Sequence, residues 1–483
     1  MTNFLHTLWP FLTAAVSLLI TLAASAHAII YKRDSRSAVG WVALIWLVPI
    51  IGALLYVTLG INRIRRKAVS LRGPERYAKQ PDDAPIRRSE ELEQHWAPER
   101  RHFIPLSQLC GRVSERELLA GNDITPLCNG DEAYPVMLEA IDRAQTSIGL
   151  TTYIFDYDRA GKRFVETLAR AVERGVEVRV LIDAVGARYS FPSIVHLLRR
   201  SGIRTALFMP TYVPWSTPYV NLRSHRKILT IDGNTAFTGG MNIREGNLLS
   251  ENPKHPVQDI HTRVTGPVVR ELQEVFAYDW HFATRESLKG DTWFPSLEST
   301  GKMIARVITD GPDRDYDKMR FVLIGALSAA RHSVRIATPY FIPDLSLISA
   351  LNTAAMRGVT VDIVLPGKNN LRAVHWACMA QLWQVLEWGC RVWLSPPPFD
   401  HSKIFVVDDA WSLIGTANWD ARSLRLNFEI AVEAYDTVLA GRMVELFEQK
   451  RRNARRITHD DVNARPLPVQ LRDGIARLFA PYL

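Results

Sequence analysis

Two short stretches of the chain follow one pattern: SHRKILTIDG at Ser224–Gly233 and DHSKIFVVDD at Asp400–Asp409. Both contain the spacing His-x-Lys-x4-Asp, and the two histidines, His225 and His401, lie 176 residues apart. Each stretch alternates residues as a β-strand does, and a period of two places each histidine on the same face as the lysine two residues later. The sequence therefore predicts one half of a paired site in each stretch.

The lysines and aspartates of the two motifs have different expected roles. Lys227 and Lys403 suit a phosphate ligand, because a lysine ammonium holds non-bridging oxygens as a point charge. The alternation places Asp232 and Asp408 on the opposite face. We therefore expect these two aspartates to brace the fold rather than to contact substrate.

Small residues follow each motif at the same offset, as GGMN at Gly239–Asn242 and GTAN at Gly415–Asn418. Small residues let backbone N–H groups approach an anion closely, and Asn242 and Asn418 add amide donors. A chance spacing on two surface strands is the alternative, but its recurrence with the same Gly/Asn offset argues against it.

The surrounding sequence repeats in the same order. The segment Leu127–Asp156 parallels Ile308–Asp344: each has a turn, an amphipathic helical run and a β-rich piece that contains Tyr153 or Tyr340. RGVEVRVLID and RGVTVDIVLP follow, each with a glycine that ends a helix and then a mostly apolar strand. A period of about 180 residues is too long for a solenoid. It predicts two duplicated α/β domains.

Composition limits the partners of the protein. The chain has 483 residues and a formal net charge of +9, which favours anionic partners, either nucleic acid or an acidic lipid surface. Its four cysteines show no metal-ligand spacing, and we expect free thiols in a reducing compartment.

The first sixty residues predict a membrane segment. No charged residue occurs in Leu8–Ile30 or in Val39–Leu59, and each run is long enough to cross a hydrocarbon core of about 30 Å. A cleaved signal peptide is the alternative, since Ala24–Ala28 resembles a cleavage site, but Met1–His6 lacks the expected Lys or Arg. We therefore predict two retained transmembrane helices.

The charge bias predicts the orientation of the membrane segment and helps to divide the chain. Five Lys or Arg residues follow the second run, against three in the connecting loop, which favours a cytoplasmic C-terminal side. We divide the chain into a membrane segment with two transmembrane helices (1–62), a charged linker (63–118), a first α/β domain (119–300) and a second α/β domain (301–483).

HRKILTIDGNTAFTGGMN and HSKIFVVDDAWSLIGTAN resemble the paired HKD motifs of the phospholipase D superfamily. The flanks QDIHTRVTGPVVRELQEVFAYDW and NWDARSLRLNFEI, with the paired N-terminal spans, are similar to bacterial cardiolipin synthases. The resemblance covers most of residues 118–483. It implies an α/β fold of two duplicated phospholipase D-like α-β-α sandwich domains packed around a shared site, preceded by two transmembrane helices.

The resemblance also implies a set of site residues. In it, His225 is the nucleophile that forms a phosphohistidine and His401 is the general acid and later base, although symmetry leaves the reverse assignment open. The resemblance also implies an acid that orients each histidine, Glu429 in the second half and Asp259 in the first. The alternative for each acid is a plain surface salt bridge. No metal or other cofactor is required, because two lysines and two imidazoles supply the positive field. The implied catalytic set is His225, Lys227, Asp232, His401, Lys403 and Asp408, with Asn242 and Asn418 binding substrate.

The reaction implied by the resemblance joins two phosphatidylglycerol molecules into cardiolipin and releases glycerol, without ATP, at the bacterial cytoplasmic membrane. Three alternatives remain open. They are a membrane-bound phospholipase D that produces phosphatidic acid, an HKD nuclease, and an inactive membrane scaffold. The two spans and the flanks argue against nucleic acid as a partner and favour an anionic phospholipid. The sequence makes no prediction of oligomeric state.

Three peripheral features have ordinary interpretations. The aromatic loop Tyr212–Val220 either contacts the membrane interface or packs inside the protein. The basic run Lys450–Arg456 is expected to be a solvated helix end, with contact to lipid headgroups as the alternative. Apolar residues of the C-terminal run at helical spacing predict a face that docks on the core, with a face that contacts the membrane as the alternative; they are Leu471, Ile475, Leu478 and Phe479. Four histidines lack the motif spacing and are predicted not to be catalytic: His255, His261, His281 and His375.

Overall fold

The computed structural model describes residues 2–32, 34–60, 96–210, 222–313 and 315–480. The chain forms two compact units, Met1–Leu71 and Arg72–Leu483, which are described separately. Helices and strands are numbered along the chain within the described ranges.

The first unit is a helical hairpin. Its elements are α1 (Thr2–Tyr31), α2 (Ser35–Leu47), α3 (Pro49–Leu55) and a π-helical turn at Tyr56–Gly60. Within the described residues, Trp9–Tyr31 is the one helical segment long and apolar enough to cross a membrane. The prediction of a first spanning helix agrees with this finding.

The second predicted span is helical in two pieces. Helix α2 ends at Leu47 and α3 begins at Pro49, with Val48 between them in a non-helical conformation (φ −136°, ψ 77°). Proline lacks an N–H and disfavours a helical conformation in the preceding residue, which explains the break. The structure therefore contains one continuous apolar helix of spanning length in its described residues, where the sequence predicts two.

The second unit contains two halves with the same order of elements. The first half consists of β1 (Leu119–Cys128), α5 (Asn129–Arg143), β2 (Ser147–Thr152), α6 (Arg159–Glu173), β3 (Glu177–Asp183), α7 (Ile194–Arg200), β4 (Arg204–Phe208), β5 (Arg223–Ser224), β6 (Ile228–Ile231), β7 (Thr235–Gly239), β8 (Val257–Gln258), β9 (Ile260–Thr265) and α8 (Val269–Thr284). Helix α4 (Ile104–Ser114) precedes it, after a 3₁₀ turn at Pro98–Phe103.

The second half repeats this order and adds a C-terminal extension. Its elements are β10 (Met303–Asp310), α9 (Lys318–Ala329), β11 (Ser333–Ala337), β12 (Phe341–Ile342), α10 (Leu345–Met356), β13 (Thr360–Pro366), α11 (Arg372–Met379), α12 (Trp383–Leu386), β14 (Arg391–Ser395), β15 (Phe399–Asp400), β16 (Ile404–Val407), β17 (Trp411–Gly415), β18 (Trp419–Asp420), α13 (Ala421–Arg425), β19 (Asn427–Ala434), α14 (Thr437–Arg452), β20 (Arg455–Ile457), α15 (His459–Asn463) and α16 (Leu467–Leu478).

The two halves share one sheet with a symmetric strand order. The order is β20-β14-β13-β11-β16-β17-β19-β10-β1-β9-β7-β6-β2-β3-β4, so that the first-half series from β1 outward mirrors the second-half series from β10 outward. The antiparallel pair of β1 and β10 joins the halves at the centre. This mirrored order agrees with the duplication inferred from the repeats.

In both halves the same residue types begin and end the helix that precedes a parallel strand. Asp158 and Asp344 cap the N-termini of α6 and α10 through their side chains. Gly175 and Gly358, both at φ +88°, follow the ends of these helices and lead into β3 and β13. In each half β2–β3 and β11–β13 pair in parallel, so the carboxyl ends of these strands share one sheet edge, where ligands bind in open α/β sheets.

Residues 96–118 belong to the second unit rather than to an extended linker. Phe103, Leu106, Cys110 and Leu118 are buried in one cluster with core residues of the second half such as Met319. The part of the predicted charged linker at 61–95 lies outside the described residues.

Candidate active site

The two histidine-bearing segments reach across from their own half to the other. Strand β5 pairs in parallel with β19 of the second half, and His225 N donates to Phe428 O at 2.9 Å. Strand β15 pairs in parallel with β8 of the first half, and His401 N donates to Gln258 O at 2.7 Å. Each histidine is therefore held by the backbone of the opposite half, and the motifs form one centre.

This exchange decides which acid orients which histidine. Nδ1 of His225 lies 3.0 Å from Oε2 of Glu429, and Nδ1 of His401 lies 2.8 Å from Oδ2 of Asp259. Glu429 and Asp259 directly follow Phe428 and Gln258, whose carbonyls bind the histidine backbones, so each acid meets the histidine of the other half. The expectation that each acid serves the histidine of its own half is wrong.

The imidazole rings face each other across a narrow space. Their centroids are 6.5 Å apart at an interplanar angle of 76°. Because an acid occupies each Nδ1, Nε2 is the nitrogen left for chemistry on both rings. A group held between the rings can thus be attacked from one side and protonated from the other.

Two tyrosines flank the histidines in equivalent positions. The Tyr153 ring lies 5.3 Å from that of His225, and the Tyr340 ring lies 6.1 Å from that of His401. Sequence reasoning missed both tyrosines as site residues. The signal was present, because Tyr153 and Tyr340 occupy matching places in the β-rich segments of the two repeats.

The motif lysines are buried beside the histidines. Lys227 Nζ donates to His225 O at 2.7 Å, and Lys403 Nζ lies 3.0 Å from Nδ1 and 3.2 Å from Nε2 of His401. Burial lowers the pKa of Lys227 to about 7 and that of Lys403 to about 8. The positive charge of the site is therefore sensitive to pH near neutrality.

Burial and charge also set the ionisation of the histidines and acids. Burial lowers the pKa of His401 to about 4, with Lys403 adding to the effect, and burial lowers the pKa of His225 as well. Burial raises the pKa of Asp259 and Glu429, but His401 with Lys403 in the first case, and His225 with Lys227 in the second, outweigh it and hold both below their usual values. At neutral pH the free enzyme thus has neutral imidazoles and ionised acids in this site.

The two asparagines line the site with different hydrogen bonds. Asn242 Oδ1 accepts from Ile154 N at 2.9 Å, which leaves its amide N–H₂ for a ligand. Asn418 Nδ2 donates to Ser423 Oγ at 3.1 Å, while its buried Oδ1 has no hydrogen-bond partner. A half-turn of this amide lets Oδ1 accept from the Ser423 hydroxyl and directs Nδ2 to the unpartnered position.

The small residues next to the asparagines make room for the acids rather than for an anion. A Cβ on Gly240 would lie 2.2 Å from Oδ1 of Asp259, and Thr416 Oγ1 donates to Oε2 of Glu429. The N–H groups of Gly240 and Thr416 donate to Ile260 O and Ile430 O. These two N–H groups are consumed by backbone bonding, and the expectation that they approach a bound anion is wrong.

Asp232 and Asp408 lie at the ends of β6 and β16 remote from the histidines. Asp232 accepts from the backbone N–H groups of Gln145, Thr146 and Ser147 at 2.7–3.1 Å. Asp408 accepts in the same way from three consecutive residues and from His102. Both aspartates brace the loop before a strand, and their place in the implied catalytic set is corrected to a structural one.

Replacing Asp232 by alanine is expected to destabilise the fold with little effect on chemistry. The change leaves three backbone donors without a charged acceptor, which should cost about 2–3 kcal/mol of unfolding free energy. The rate per folded molecule should stay within about threefold, because Asp232 lies five residue steps along the strand from Lys227, a distance of roughly 17 Å. Chemical denaturation and assays on the folded fraction test this, with the exposed Asp291→Ala as control. A loss of rate above tenfold per folded molecule would contradict it.

The structure describes two of the three peripheral features named from the sequence. Within the basic run Lys450–Arg456, Lys450 pairs with Asp400 at 2.8 Å and Arg451 stacks on Trp393. Its other basic residues, Arg452, Arg455 and Arg456, are exposed, so the run is largely solvated, as expected. The loop Tyr212–Val220 lies outside the described residues. The predicted docking of the C-terminal apolar face on the core is wrong, because its residues are exposed; they are Leu471, Ile475, Leu478 and Phe479.

Two histidines outside the motifs differ in their surroundings. His255 is exposed, whereas His261 is buried two residues after Asp259, and burial lowers its pKa to about 4. In the described part of the chain, no group of three or more His, Cys, Asp or Glu side chains is arranged to hold a metal ion.

Comparison with known proteins gives concordant results. A family described as "Cardiolipin synthase, PLD-like domain" matches residues 137–280 and 323–451, and one described as "Phospholipase_D-nuclease N-terminal" matches residues 19–60. The major cardiolipin synthase ClsA of Bacillus subtilis is 31% identical over 464 residues, covering 94% of this chain and 95% of that protein. A cardiolipin synthase of Geobacillus thermodenitrificans is 30% identical over 459 residues, covering 94% and 90%.

A solved structure supports the fold. The phosphatidylserine synthase of Haemophilus influenzae aligns with a TM-score of 0.61 at 18% identity, covering 78% of this chain and all of that one. At this identity the likeness concerns the fold alone.

Proposed function

Because the chain belongs to the family of cardiolipin synthases with phospholipase D-like domains, we propose that it transfers a phosphatidyl group from one phosphatidylglycerol to another, giving cardiolipin and glycerol. The observation that carries the proposal is the pair of imidazoles, 6.5 Å apart, each oriented by an ionised acid of the opposite half. Transfer between two alcohols needs a nucleophile and a proton carrier on opposite sides of phosphorus, and this pair supplies both.

In the first step, Nε2 of His225 attacks phosphorus and the bond to the headgroup glycerol oxygen breaks. His401 donates its proton to the departing oxygen, so glycerol leaves as the neutral alcohol. The anionic phosphodiester between the rings raises the pKa of both imidazoles relative to the empty site, which allows His401 to carry that proton. The product of this step is a phosphatidyl group bonded to His225.

In the second step, a hydroxyl of another phosphatidylglycerol gives its proton to His401 and its oxygen attacks phosphorus. The phosphorus–nitrogen bond breaks and its electron pair returns to His225. Lys227 and Lys403 balance the charge on the non-bridging oxygens, with amide donors from Asn242 and Asn418. One phosphodiester replaces another, so the reaction requires no ATP.

Because the proposed substrate is a bilayer lipid, we place the protein at a membrane. The family match at residues 19–60 and the apolar helix Trp9–Tyr31 support membrane association. We extend this to two spans, the second formed by the broken helices of residues 35–60, with the domains 119–300 and 301–483 on the cytoplasmic side of the bacterial inner membrane. The surplus of Lys and Arg after residue 60 supports that orientation.

Doubly labelled phosphatidylglycerol tests the function. The full chain in detergent micelles is given lipid labelled in its headgroup glycerol and in its acyl chains, without ATP, beside a His225→Ala control. We expect cardiolipin and free glycerol in equal amounts. Phosphatidic acid as the main lipid product would contradict transfer and indicate hydrolysis.

The lysines predict the alkaline side of the pH profile. A lysine is charged below its pKa, so the free enzyme loses the charge of Lys227 and then of Lys403 as pH rises through about 7 and 8. We expect kcat/KM to fall between pH 7 and 9, where the phosphodiester substrate does not titrate. Lys227→Arg keeps its charge and should move this decline upward, even if its maximal rate is lower.

The control for this profile is Lys318→Arg, which replaces a lysine paired with Asp315. Its decline should match that of the unmodified enzyme. A profile of Lys227→Arg that coincides with both would show that Lys227 does not set the alkaline limb.

A further inference from the structure

The C-terminal helix α16 exposes an apolar side. Its buried residues are Asp473 and Ala476, whereas five large apolar residues on and just after the helix are between 56% and 74% exposed. These five residues, the C-terminal stripe, recur at helical spacing: Leu467, Leu471, Ile475, Leu478 and Phe479. An amphipathic helix on a globular protein ordinarily turns such a stripe to the core. Here the stripe is turned outward.

Ion pairs hold the helix in this orientation. The buried Asp473 accepts from Arg465 at 2.6 Å and from Arg472 at 2.7 Å. Arg465 also donates to Met379 O, at the end of α11, at 3.1 Å. Because α16 is attached to the domain through Asp473 and the small residue Ala476, the outward direction of the stripe is built into the packing.

The charge on the exposed side is positive. Asp473 is the one acidic residue of α16, and its carboxylate is buried among the two arginines. Arg472 and Arg477 are the basic residues of the helix. A stripe of Leu, Ile and Phe flanked by arginines and free of exposed acids matches an anionic bilayer surface.

The stripe leads toward the reaction centre. Arg465 contacts the C-terminal end of α11 at Met379, and Arg472 lies 4.6 Å over the ring of Trp376. Helix α16 therefore runs antiparallel to α11, and its C-terminal end approaches the start of α11 at Arg372.

The start of α11 borders the catalytic histidine. Leu371, which precedes α11, is 49% exposed, and its neighbour Asn370 accepts a hydrogen bond from the Tyr340 hydroxyl at 3.0 Å. The Tyr340 ring lies 6.1 Å from that of His401. The exposed Leu371 thus lies between the C-terminal stripe and the rim of the site, beside the exposed basic residues Lys368 and Arg372.

The rim on the first half exposes two aromatic side chains. In the loop that follows β3, Phe191 is fully exposed and Tyr189 is largely exposed. The Tyr189 ring packs 6.0 Å from Tyr153, which contacts His225. Both loops at the carboxyl ends of the central strands, 184–193 and 367–371, contain no acidic residue.

From these contacts we propose that α16 lies on the surface of an anionic phospholipid bilayer, with the C-terminal stripe at the boundary between headgroups and acyl chains. The contact sets the rim of the site against the lipid, so that a phosphatidylglycerol headgroup reaches the histidines while its chains remain in the bilayer. The choice of a phospholipid bilayer as the partner of α16 rests on the proposed function, because a lipid substrate requires an open path from the bilayer to the site.

Fluorescence depth measurements test the contact without turnover. Ile475→Cys is labelled with an environment-sensitive dye in a Cys128→Ser background, where the other three cysteines are buried. The full chain is reconstituted in phosphatidylcholine vesicles with and without 30% phosphatidylglycerol. Met356→Cys, exposed at the end of α10 on the opposite sheet edge, is the matched control.

We expect brominated acyl chains to quench the dye at position 475 at least threefold more than the dye at 356, and more so with phosphatidylglycerol present. Equal quenching at the two positions would overturn the proposal. Contact of position 475 with a second copy of the chain would also overturn the proposal. Such contact would be detected as cross-linking between labelled positions without quenching by lipid.

Activity gives a second readout that separates this proposal from the function itself. We compare activity on bilayer lipid with activity on monomeric short-chain phosphatidylglycerol. The double variant Leu471→Glu/Ile475→Glu should lower the ratio of the first activity to the second about tenfold. Val438→Glu, at an exposed site on α14, should leave the ratio unchanged. An unchanged ratio in the double variant would overturn the contact, whereas absence of cardiolipin synthesis in every protein would instead count against the proposed function.

Discussion

Replacing His225 by alanine is expected to lower kcat/KM for phosphatidylglycerol by about 10⁴-fold or more, because the reaction loses its nucleophile and no other imidazole can reach phosphorus from that side. His401→Ala should cost a similar factor, since glycerol is a poor leaving group without a proton. The loss should appear in kcat, because the lysines and asparagines that bind the phosphate remain.

Matched controls separate this loss from misfolding. His255 is exposed, and His255→Ala should retain full activity. Unfolding midpoints of the two site variants should lie close to that of the unmodified protein. A residual rate above about 1% in His225→Ala would contradict the assigned role.

A substrate with a better leaving group distinguishes the two histidines. A phosphatidyl ester of p-nitrophenol releases its alcohol without protonation, so His401→Ala should still give one equivalent of nitrophenolate as the phosphatidyl–His225 bond forms. His225→Ala should give none. The opposite pattern would assign the nucleophile to His401.

The second large effect concerns the exchanged acids. Glu429→Gln and Asp259→Asn keep the size of each side chain but remove the charge that fixes the imidazole, and each should lower kcat by about 10²- to 10³-fold. Neither acid contacts the reacting atoms; both are positioning residues. Their effect should therefore be visible on the histidines themselves.

Nitrogen NMR of labelled histidine provides that readout. Glu429→Gln should shift the Nδ1 resonance of His225 and leave that of His401 unchanged, and Asp259→Asn should do the reverse, because the short contacts cross between the halves. A variant that perturbs only the histidine of its own half would contradict the exchange. Asp362→Asn, which alters a carboxylate paired with Arg391, should shift neither resonance.

The sequence was sufficient for the duplication and for the residue types of the site. The signals for both are local along the chain, and local signals can be recognised in a single sequence. They are the repeated His-x-Lys spacing, the matched glycines before β3 and β13, and the equivalent positions of Asn242 and Asn418. The family match at residues 137–280 and 323–451 and the mirrored strand order agree with that interpretation.

The sequence was not sufficient for contacts between the halves. The pairing of His225 with Glu429 depends on the parallel contact of β5 with β19, which joins segments about 200 residues apart. Proximity along the chain favours an acid of the same half, as expected for Asp259, and only the fold reveals the exchange.

Two other differences have local physical causes. Pro49 interrupts the second apolar run, which a count of uncharged residues ignores. The periodicity of Leu471, Ile475 and Leu478 correctly predicts a helix but not the side on which it docks. That side is decided by Asp473, whose buried ion pairs hold its side of the helix against the domain.

The central claim is that the phosphatidyl group passes through a covalent bond to His225. The most direct measurement is a single-turnover reaction of the full chain with phosphatidylglycerol labelled at phosphorus, quenched in base, digested and mapped by mass spectrometry. The account predicts a phosphatidyl adduct on the peptide that contains His225, formed with glycerol release and lost as cardiolipin appears. Label on the His401 peptide, or cardiolipin that forms with no protein-bound label at any time, would contradict it.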